Sequence, residues 1–257
     1  MKIYQGQIPP YPKIRGKIQS IMYPCYVEDK LDGEANIYHE KTLISKASGK
    51  VRTDTPITTY LSGMFDHNTV LFGELYWGEG KKGALYKFLS HAKDDNLRFG
   101  VFDAIHPDIE NEDYETRREW LTDRLVESVQ VHLINTAYCE DPTDKQRLVT
   151  LNKIDGYEGV VLKNANSRLM ISRRLIVTQN GWVKVKHIDC VDVRVVHIDP
   201  TLERMDIEFG GRKVGVKLVN KYKSKLKVGD TIEVEHMGVL NGGGLRHPVY
   251  RGKVVYS

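Results

Sequence analysis

The sequence is short of several things, and each shortage closes off a class of explanation. Its three cysteines, Cys25, Cys139 and Cys190, are odd in number and scattered along 257 residues. That usage fits a reducing compartment and supports neither a disulfide framework nor a zinc site. No window approaches the ~18 consecutive apolar residues of a membrane span, so a membrane partner is not expected. The opening Met1-Lys2-Ile3-Tyr4-Gln5-Gly6-Gln7 has no apolar core of the kind a signal peptide needs. No Walker-type glycine loop is present, which excludes a P-loop enzyme. There is no internal repeat and no low-complexity tract.

Charge is scarce in sum but uneven in place. The net charge is +4, and from His187 onward 12 Lys and Arg face 9 Asp and Glu, so +3 of it lies in the last 71 residues. Basic charge gathered in a small C-terminal piece points weakly to a polyanionic partner.

The texture divides the chain in two. Residues 1–24, with Pro9, Pro10, Pro12 and Pro24, read as an extended arm. Residues 25–76 read as strands and turns, with strands over 25–28, 34–39, 42–45 and 69–75. A short helix is expected over 84–91 and a buried strand over 97–104. A capping box at Thr116-Arg117-Arg118-Glu119 predicts one helix start. Asp141-Pro142 predicts another, ending before Gly156. Strands return at 159–163 and 181–186. After Lys186, five short strands in ~70 residues without a helix suggest a small β-barrel. The expected division is 1–187 and 188–257. The expected class is α+β with antiparallel sheets and flanking helices, followed by an all-β domain.

One stretch organises the rest: Tyr26-Val27-Glu28-Asp29-Lys30-Leu31-Asp32-Gly33-Glu34-Ala35-Asn36. Apolar flanks surround a charged centre, and Gly33 allows a sharp turn. A lysine at a strand end can be held still and partly desolvated, which lowers its pKa and favours nucleophilic use. The nearby carboxylates oppose this unless a metal cation or a phosphate partner rebalances them. Taken alone, the stretch reads first as a polar hairpin: strand, Asp-Gly turn, strand.

Four islands downstream change the balance. Val70-Leu71-Phe72-Gly73-Glu74-Leu75 brings a carboxylate to an apolar strand. Leu97-Arg98-Phe99-Gly100-Val101-Phe102-Asp103 brings aromatic rings to a strand end. Asp155-Gly156-Tyr157-Glu158-Gly159-Val160-Val161-Leu162-Lys163 sets a carboxylate at the mouth of an apolar strand and a lysine at its far end. Gly181-Trp182-Val183-Lys184-Val185-Lys186 alternates, so Lys184 and Lys186 share a face. Each has a bland reading: surface carboxylates, a core Phe102, a solvated lysine face. Together they supply a nucleophile, oxygen ligands for Mg²⁺, a stacking plate and cations for phosphate charge. Those are the needs of phosphoryl or nucleotidyl transfer.

In this order the motifs resemble those of the covalent nucleotidyltransferases: DNA ligases, RNA ligases and mRNA capping enzymes. Tyr114-Glu115-x-Arg117-Arg118-x-x-Leu121 and Arg246-His247-Pro248-Val249-Tyr250-Arg251 resemble ATP-dependent DNA ligases in particular. The resemblance covers nearly the whole chain and matches a minimal two-domain form. It implies a nucleotidyltransferase (ATP-grasp-like) domain followed by an OB-fold. It implies that Lys30 attacks the α-phosphate of ATP and becomes lysyl-AMP, that Glu28 reads adenine, and that Phe102 stacks on it. Glu74 would contact the ribose, while Lys184 and Lys186 would hold the α-phosphate. Asp32 and Glu158, with Glu74, would organise Mg²⁺, for which Mn²⁺ could substitute, and the nucleophile. Arg246 and Arg251 would orient the pyrophosphate. The AMP would pass to the 5′-phosphate of a nick in duplex DNA, and the 3′-hydroxyl would displace it. A monomer is expected, in the cytoplasm or, for a viral protein, the host cytoplasm.

Two departures stand out. Ala35 occupies a position where DNA ligases usually carry arginine. A Ser-Arg-x-Gly-like element reads Ser45-Lys46-Ala47-Ser48-Gly49, where Lys46 can place charge near a nucleotide or DNA phosphate but not a bidentate grip. Lys221, Lys223, Lys225 and Lys227 would share one strand face, either as a protected edge or as a DNA backbone contact. An RNA ligase of the same chemistry stays open, as does an inactive nucleic-acid-binding OB protein.

Overall fold

The computed structural model describes residues 11–14, 21–90, 96–171, 176–177, 181–199, 204–218, 226–240 and 242–254. The chain divides into two compact units, 1–185 and 186–257.

Period-two alternation builds the first unit. Strand β1 (Cys25–Lys30) runs into a tight turn and β2 (Glu34–His39). Gly33 is required at that turn because a Cβ there would collide with the Leu75 carbonyl and the Tyr76 side chain. Then come β3 (Thr42–Ser45), β4 (Val51–Arg52), α1 (Pro56–Ser62), β5 (Val70–Trp77), α2 (Ala84–Ser90), β6 (Leu97–Ile105) and α3 (Tyr114–Arg124). They are followed by β7 (Val131–Leu133), β8 (Thr136–Cys139), α4 (Pro142–Ile154), β9 (Gly159–Asn164), β10 (Met170–Ile171), β11 (Ile176–Val177) and β12 (Trp182–Lys186). Six strands form one sheet, in the order β4-β3-β2-β5-β6-β7. Four form a second, β12-β9-β1-β8. The pairs β1–β8, β1–β9, β2–β3, β2–β5, β3–β4 and β5–β6 are antiparallel, and β6–β7 is parallel.

Alternate residues of the small sheet serve two cores. Cys25 and Val27 of β1, Val160 and Leu162 of β9 and Val183 of β12 pack together, with Leu148 and Val149 of α4 against them. The intervening residues Tyr26, Glu28 and Lys30, with Val161, Lys163, Trp182 and Lys184, take the opposite face. There Phe72, Phe102, Tyr114 and Trp182 share a second cluster. The candidate site forms on this face.

Helix starts follow local chemistry. Asp141 caps α4 as expected, accepting from the Thr143 and Asp144 amides. The cap of α3 is Asp113, which accepts from the Thr116 amide at 3.0 Å, so the helix starts before the expected Thr116 box. Asp113 is the earlier capping residue, and a start there brings Tyr114 and Arg117 into the core. Helix α1 was not expected within 25–76. Its capping box is Thr55 with Thr58, and Pro56 opens it.

In the second unit, β13 (Asp189–Asp199), β14 (Arg204–Phe209), β15 (Arg212–Leu218), β16 (Thr231–His236) and β17 (Val249–Val254) close a barrel in the order β13-β14-β15-β17-β16. Val193, Val195, Met205, Ile207, Val216, Ile232, Val234 and Tyr250 fill it. Among the described residues no helix is long and apolar enough to cross a membrane.

Candidate active site

Antiparallel pairing of β1 with β9 sets Lys30 opposite Gly159 and Glu28 opposite Val161. This register brings two lysine–glutamate pairs into being. The Lys30 ammonium donates to Glu158 Oε2, with the lysine side chain 17% exposed. Lys163 donates to Glu28 Oε2 at 2.6 Å, with neither side chain more than 3% exposed. Lys163 Nζ lies 4.2 Å from the ring centre of Trp182, 4.7 Å from Tyr114 and 4.8 Å from Phe102, and donates to the Phe102 carbonyl at 3.1 Å. Burial brings the Lys163 ammonium down to about 8, against the pull of Glu28. Burial also raises Glu28, which Lys163 opposes.

A cleft opens beside these pairs. Its lining includes Tyr11, Glu28, Lys30, Glu74, Phe102 and Lys184. Phe102 offers an aromatic wall, stacked against Phe72 with ring centres 6.5 Å apart. Burial pushes the Glu74 carboxyl up to about 7, although Lys30 and Lys184 pull it down. Lys184 is lowered by desolvation and then by the like charges of Lys30 and Lys46. Such repulsion is unfavourable by itself and is relieved by an anion.

Other expected residues lie elsewhere. The Asp32 carboxylate is buried and accepts from the Gly83 amide at 2.7 Å, which ties the turn after Lys30 to the segment before α2. Asp32 is outside the cleft lining. Lys46 is exposed, with its ammonium 4.5 Å from the Tyr11 ring centre. Beside Ala35, Arg52 binds Glu34 Oε2 at 3.0 Å and Asn36 Oδ1 at 3.2 Å. Lys186 belongs to the second unit, with its ammonium 3.9 Å from Met237 Sδ. Arg246 is buried there, and exposed Arg251 donates to Glu235 Oε2 at 3.0 Å. Lys227 is exposed in a turn before β16 and not in a strand, because Asp230 Oδ2 accepts from its amide. Lys221, Lys223 and Lys225 lie outside the described residues.

Sequence reasoning gave no role to Tyr11, Lys163 or the holders of Asp29. The Asp29 carboxylate accepts from Asn135 at 3.0 Å and from Asn152 at 2.5 Å, fixing the end of β1 to α4. A charged residue ending the otherwise apolar run 159–162 was the available signal for Lys163. Asn135 and Asn152 carried none.

The ATP dependent DNA ligase domain matches residues 10–186 of this sequence. The chain belongs to the ATP-dependent DNA ligase family. This ligase also matches solved structures across nearly its whole length. A structure from work on DNA binding with a minimal scaffold in Lig E DNA ligases superposes with a TM-score of 0.74 at 15% identity, covering 97% of this chain and 100% of that one. The ligase domain of LigD from M. tuberculosis gives 0.54 at 17% identity, covering 96% and 94%. The ATP-dependent ligase of bacteriophage T7, in complex with ATP, gives 0.51 at 15%, covering 95% and 98%. At these identities the likeness is one of fold. No curated protein matches the sequence.

Proposed function

We propose that this ligase seals nicks bearing a 5′-phosphate and a 3′-hydroxyl in duplex DNA through an adenylated Lys30. The observation that carries the reading is the position of the Lys30 ammonium. It meets Glu158 at a cleft that Phe102, Glu28, Glu74 and Lys184 also line.

Three steps follow from that arrangement. Lys30 Nζ loses a proton to the Glu158 carboxylate and attacks the α-phosphorus of ATP. A P–N bond forms, and the P–O bond to pyrophosphate breaks. Next, an oxygen of the nick's 5′-phosphate attacks the adenylate phosphorus and displaces Lys30. Finally, the 3′-hydroxyl attacks the 5′-phosphorus, and AMP leaves. Phe102 stacks on the base, Glu28 faces it with its charge held by Lys163, and Glu74 meets the ribose. Lys184, Lys186 and Lys46 would draw charge from the phosphates, and Arg246 and Arg251 would orient the pyrophosphate. We assign the domains as residues 1–187, the nucleotidyltransferase, and 188–257, an OB-fold. The closed five-stranded barrel supports the latter. Lys221, Lys223, Lys225 and Lys227 would add contacts to the DNA backbone.

Among the described residues no three His, Cys, Asp or Glu side chains form a ready-made cation site. Mg²⁺ is often bound through one or two carboxylates plus substrate phosphates, and Glu74 and Glu158 fit that pattern. The raised Glu74 carboxyl is what a cation would relieve. When bound, the ion would neutralise charge on the phosphates.

The test is sealing of a singly nicked all-DNA duplex with ATP and Mg²⁺, beside a matched nick with an RNA strand. Joining of the all-DNA nick supports the reading. Joining of the RNA-containing nick alone would move the substrate to RNA while keeping the chemistry. Intact mass then looks for one added AMP on the protein, and its absence would refute the mechanism.

A further inference from the structure

Behind the nucleophile, across the small sheet, stands a carboxylate that no motif explains. Asp29 alternates with Lys30 along β1, and its carboxylate reaches α4. Asn152 is buried on α4, on the side of Leu148 and Val149 that packs on this sheet, and donates to Asp29 Oδ1 at 2.5 Å. Asn135, between β7 and β8, donates to Oδ2 at 3.0 Å, and its carbonyl accepts from the Asp29 amide at 3.1 Å. Burial raises the Asp29 carboxyl, and side-chain hydrogen bonds from Asn135, Asn152 and Tyr157 draw it back. The Tyr157 hydroxyl is itself raised by burial and then by Asp29. The Tyr157 amide donates to the Asn152 carbonyl at 3.3 Å. Asp29 immediately precedes Lys30, and Tyr157 immediately precedes Glu158. The chain neighbours of the reacting pair are therefore joined to each other, and both to Asn152.

Accepting the adenylation reading above, we propose that Asp29 is a positioning residue for self-adenylation: through Asn152 and Tyr157 it fixes where Lys30 Nζ stands relative to Glu158. Lys30 is the last residue of β1, and strand ends open more readily than strand centres. Attack on phosphorus tolerates little displacement of the nucleophile. A tie one residue from Lys30 and one residue from its base therefore governs the rate of P–N bond formation. The Asp29 side chain works through Lys30 and Glu158 and needs no contact with the nucleotide. The fold does not hang on it. Segment 78–83 holds the same two places through its backbone. The Asp32 amide donates to the Gly80 carbonyl at 2.8 Å, and the Lys82 amide donates to the Gly156 carbonyl at 3.1 Å. Loss of the Asp29 carboxylate thus loosens the pair without unfolding the domain.

The experiment follows lysyl-AMP formation by intact mass over a range of ATP concentrations, using the full chain. It reads the maximal rate constant, the half-saturating ATP concentration and the final adenylated fraction. Asp29→Ala should slow the maximal rate constant by about 10- to 100-fold, the cost of a displacement of about 1 Å. The half-saturating concentration should stay within about threefold, since ground-state binding is untouched. The adenylated fraction should still reach that of wild type, whereas a variant that merely unfolds lowers the fraction. Tyr157→Phe keeps the ring, removes one donor and serves if the alanine variant does not fold. It should slow the rate constant by about threefold. Asn152→Asp sets two carboxylates against each other and should slow it as Asp29→Ala does. Adding Asp29→Asn to that variant restores a donor facing an acceptor and should recover most of the rate. Wild-type rate constants in both Asp29→Ala and Tyr157→Phe would overturn the proposal. So would a lowered adenylated fraction with the rate constant unchanged, or Asn152→Asp left unrescued by Asp29→Asn. Lys30→Ala in the same assay separates the two ideas. If wild type gains no AMP, or Lys30→Ala gains it, the adenylation reading fails. If wild type gains it, Lys30→Ala does not, and the Asp29 and Tyr157 variants behave as wild type, only the Asp29 proposal fails.

Discussion

Two lysine–glutamate pairs join the same two strands in opposite senses. Strand β1 gives Glu28 and Lys30, and the segment around β9 gives Lys163 and Glu158. Lys30 keeps 17% of its side chain exposed, whereas Lys163 keeps none. The chemistry of the residues is identical, so their surroundings separate them. Lys163, under three rings and without exposed surface, holds the Glu28 carboxylate in place. A pair at the cleft can exchange its partner for a substrate. On the proposed reading, depth makes one of these ion pairs a structural clamp and leaves the other free to react.

The contrast can be broken in several ways. The largest effect belongs to Lys30→Ala, which should abolish lysyl-AMP and nick sealing while costing the fold less than loss of Lys163. Residual adenylation on that variant would place the nucleophile elsewhere. Lys163→Met should leave Glu28 buried without its cation and destabilise the chain by about 3–5 kcal/mol, read from urea unfolding. Equal stability losses for the two variants would erase the distinction drawn from burial.

A pH experiment sharpens it. The Lys163 ammonium holds its proton up to about 8 in the fold and up to about 10.5 in the open chain. The unfolded chain binds the extra proton between those values, so this group makes stability rise with pH across that window. Lys163→Met should remove that contribution from melting curves taken at pH 8 and pH 10. Glu74 works in the other direction. Its carboxyl stays protonated up to about 7 in the fold but only to 4.5 in the open chain, so its contribution falls as pH rises from 4.5 to 7. Glu74→Gln should flatten that fall, and an unchanged profile would reject the burial account. The smallest effect is expected from Lys46→Ala, which is exposed. It should weaken sealing by a few-fold at low salt and less at high salt, since exposed charges are screened.

Much of this was legible because it is local. The Lys30 strand, the turn at Gly33, the Asp141 cap and the strand alternation after Lys186 all depend on residues a few positions apart. Helix α1 was missed because Thr55-Pro56 lies in a stretch dominated by strand and turn signals. The start of α3 was misplaced because Thr116-x-x-Glu119 imitates a capping box that Asp113 forestalls. Strands β7 and β8 are only three and four residues long and carry too little periodicity to be seen.

The sequence by itself determined the order of motifs, the family and the candidate nucleophile, since these reside in residue types and short spacings. Only the tertiary structure decided which lysine meets which glutamate, because the register of β1 on β9 is set by packing 128 to 135 residues apart. It also brought Asp32 to the Gly83 amide, 51 residues away. It placed Tyr11 beside Phe102, a meeting that no spacing in the chain foretells. Depth is a property of the whole fold, and on the proposed reading depth is what turns one ion pair into a clamp and another into a site.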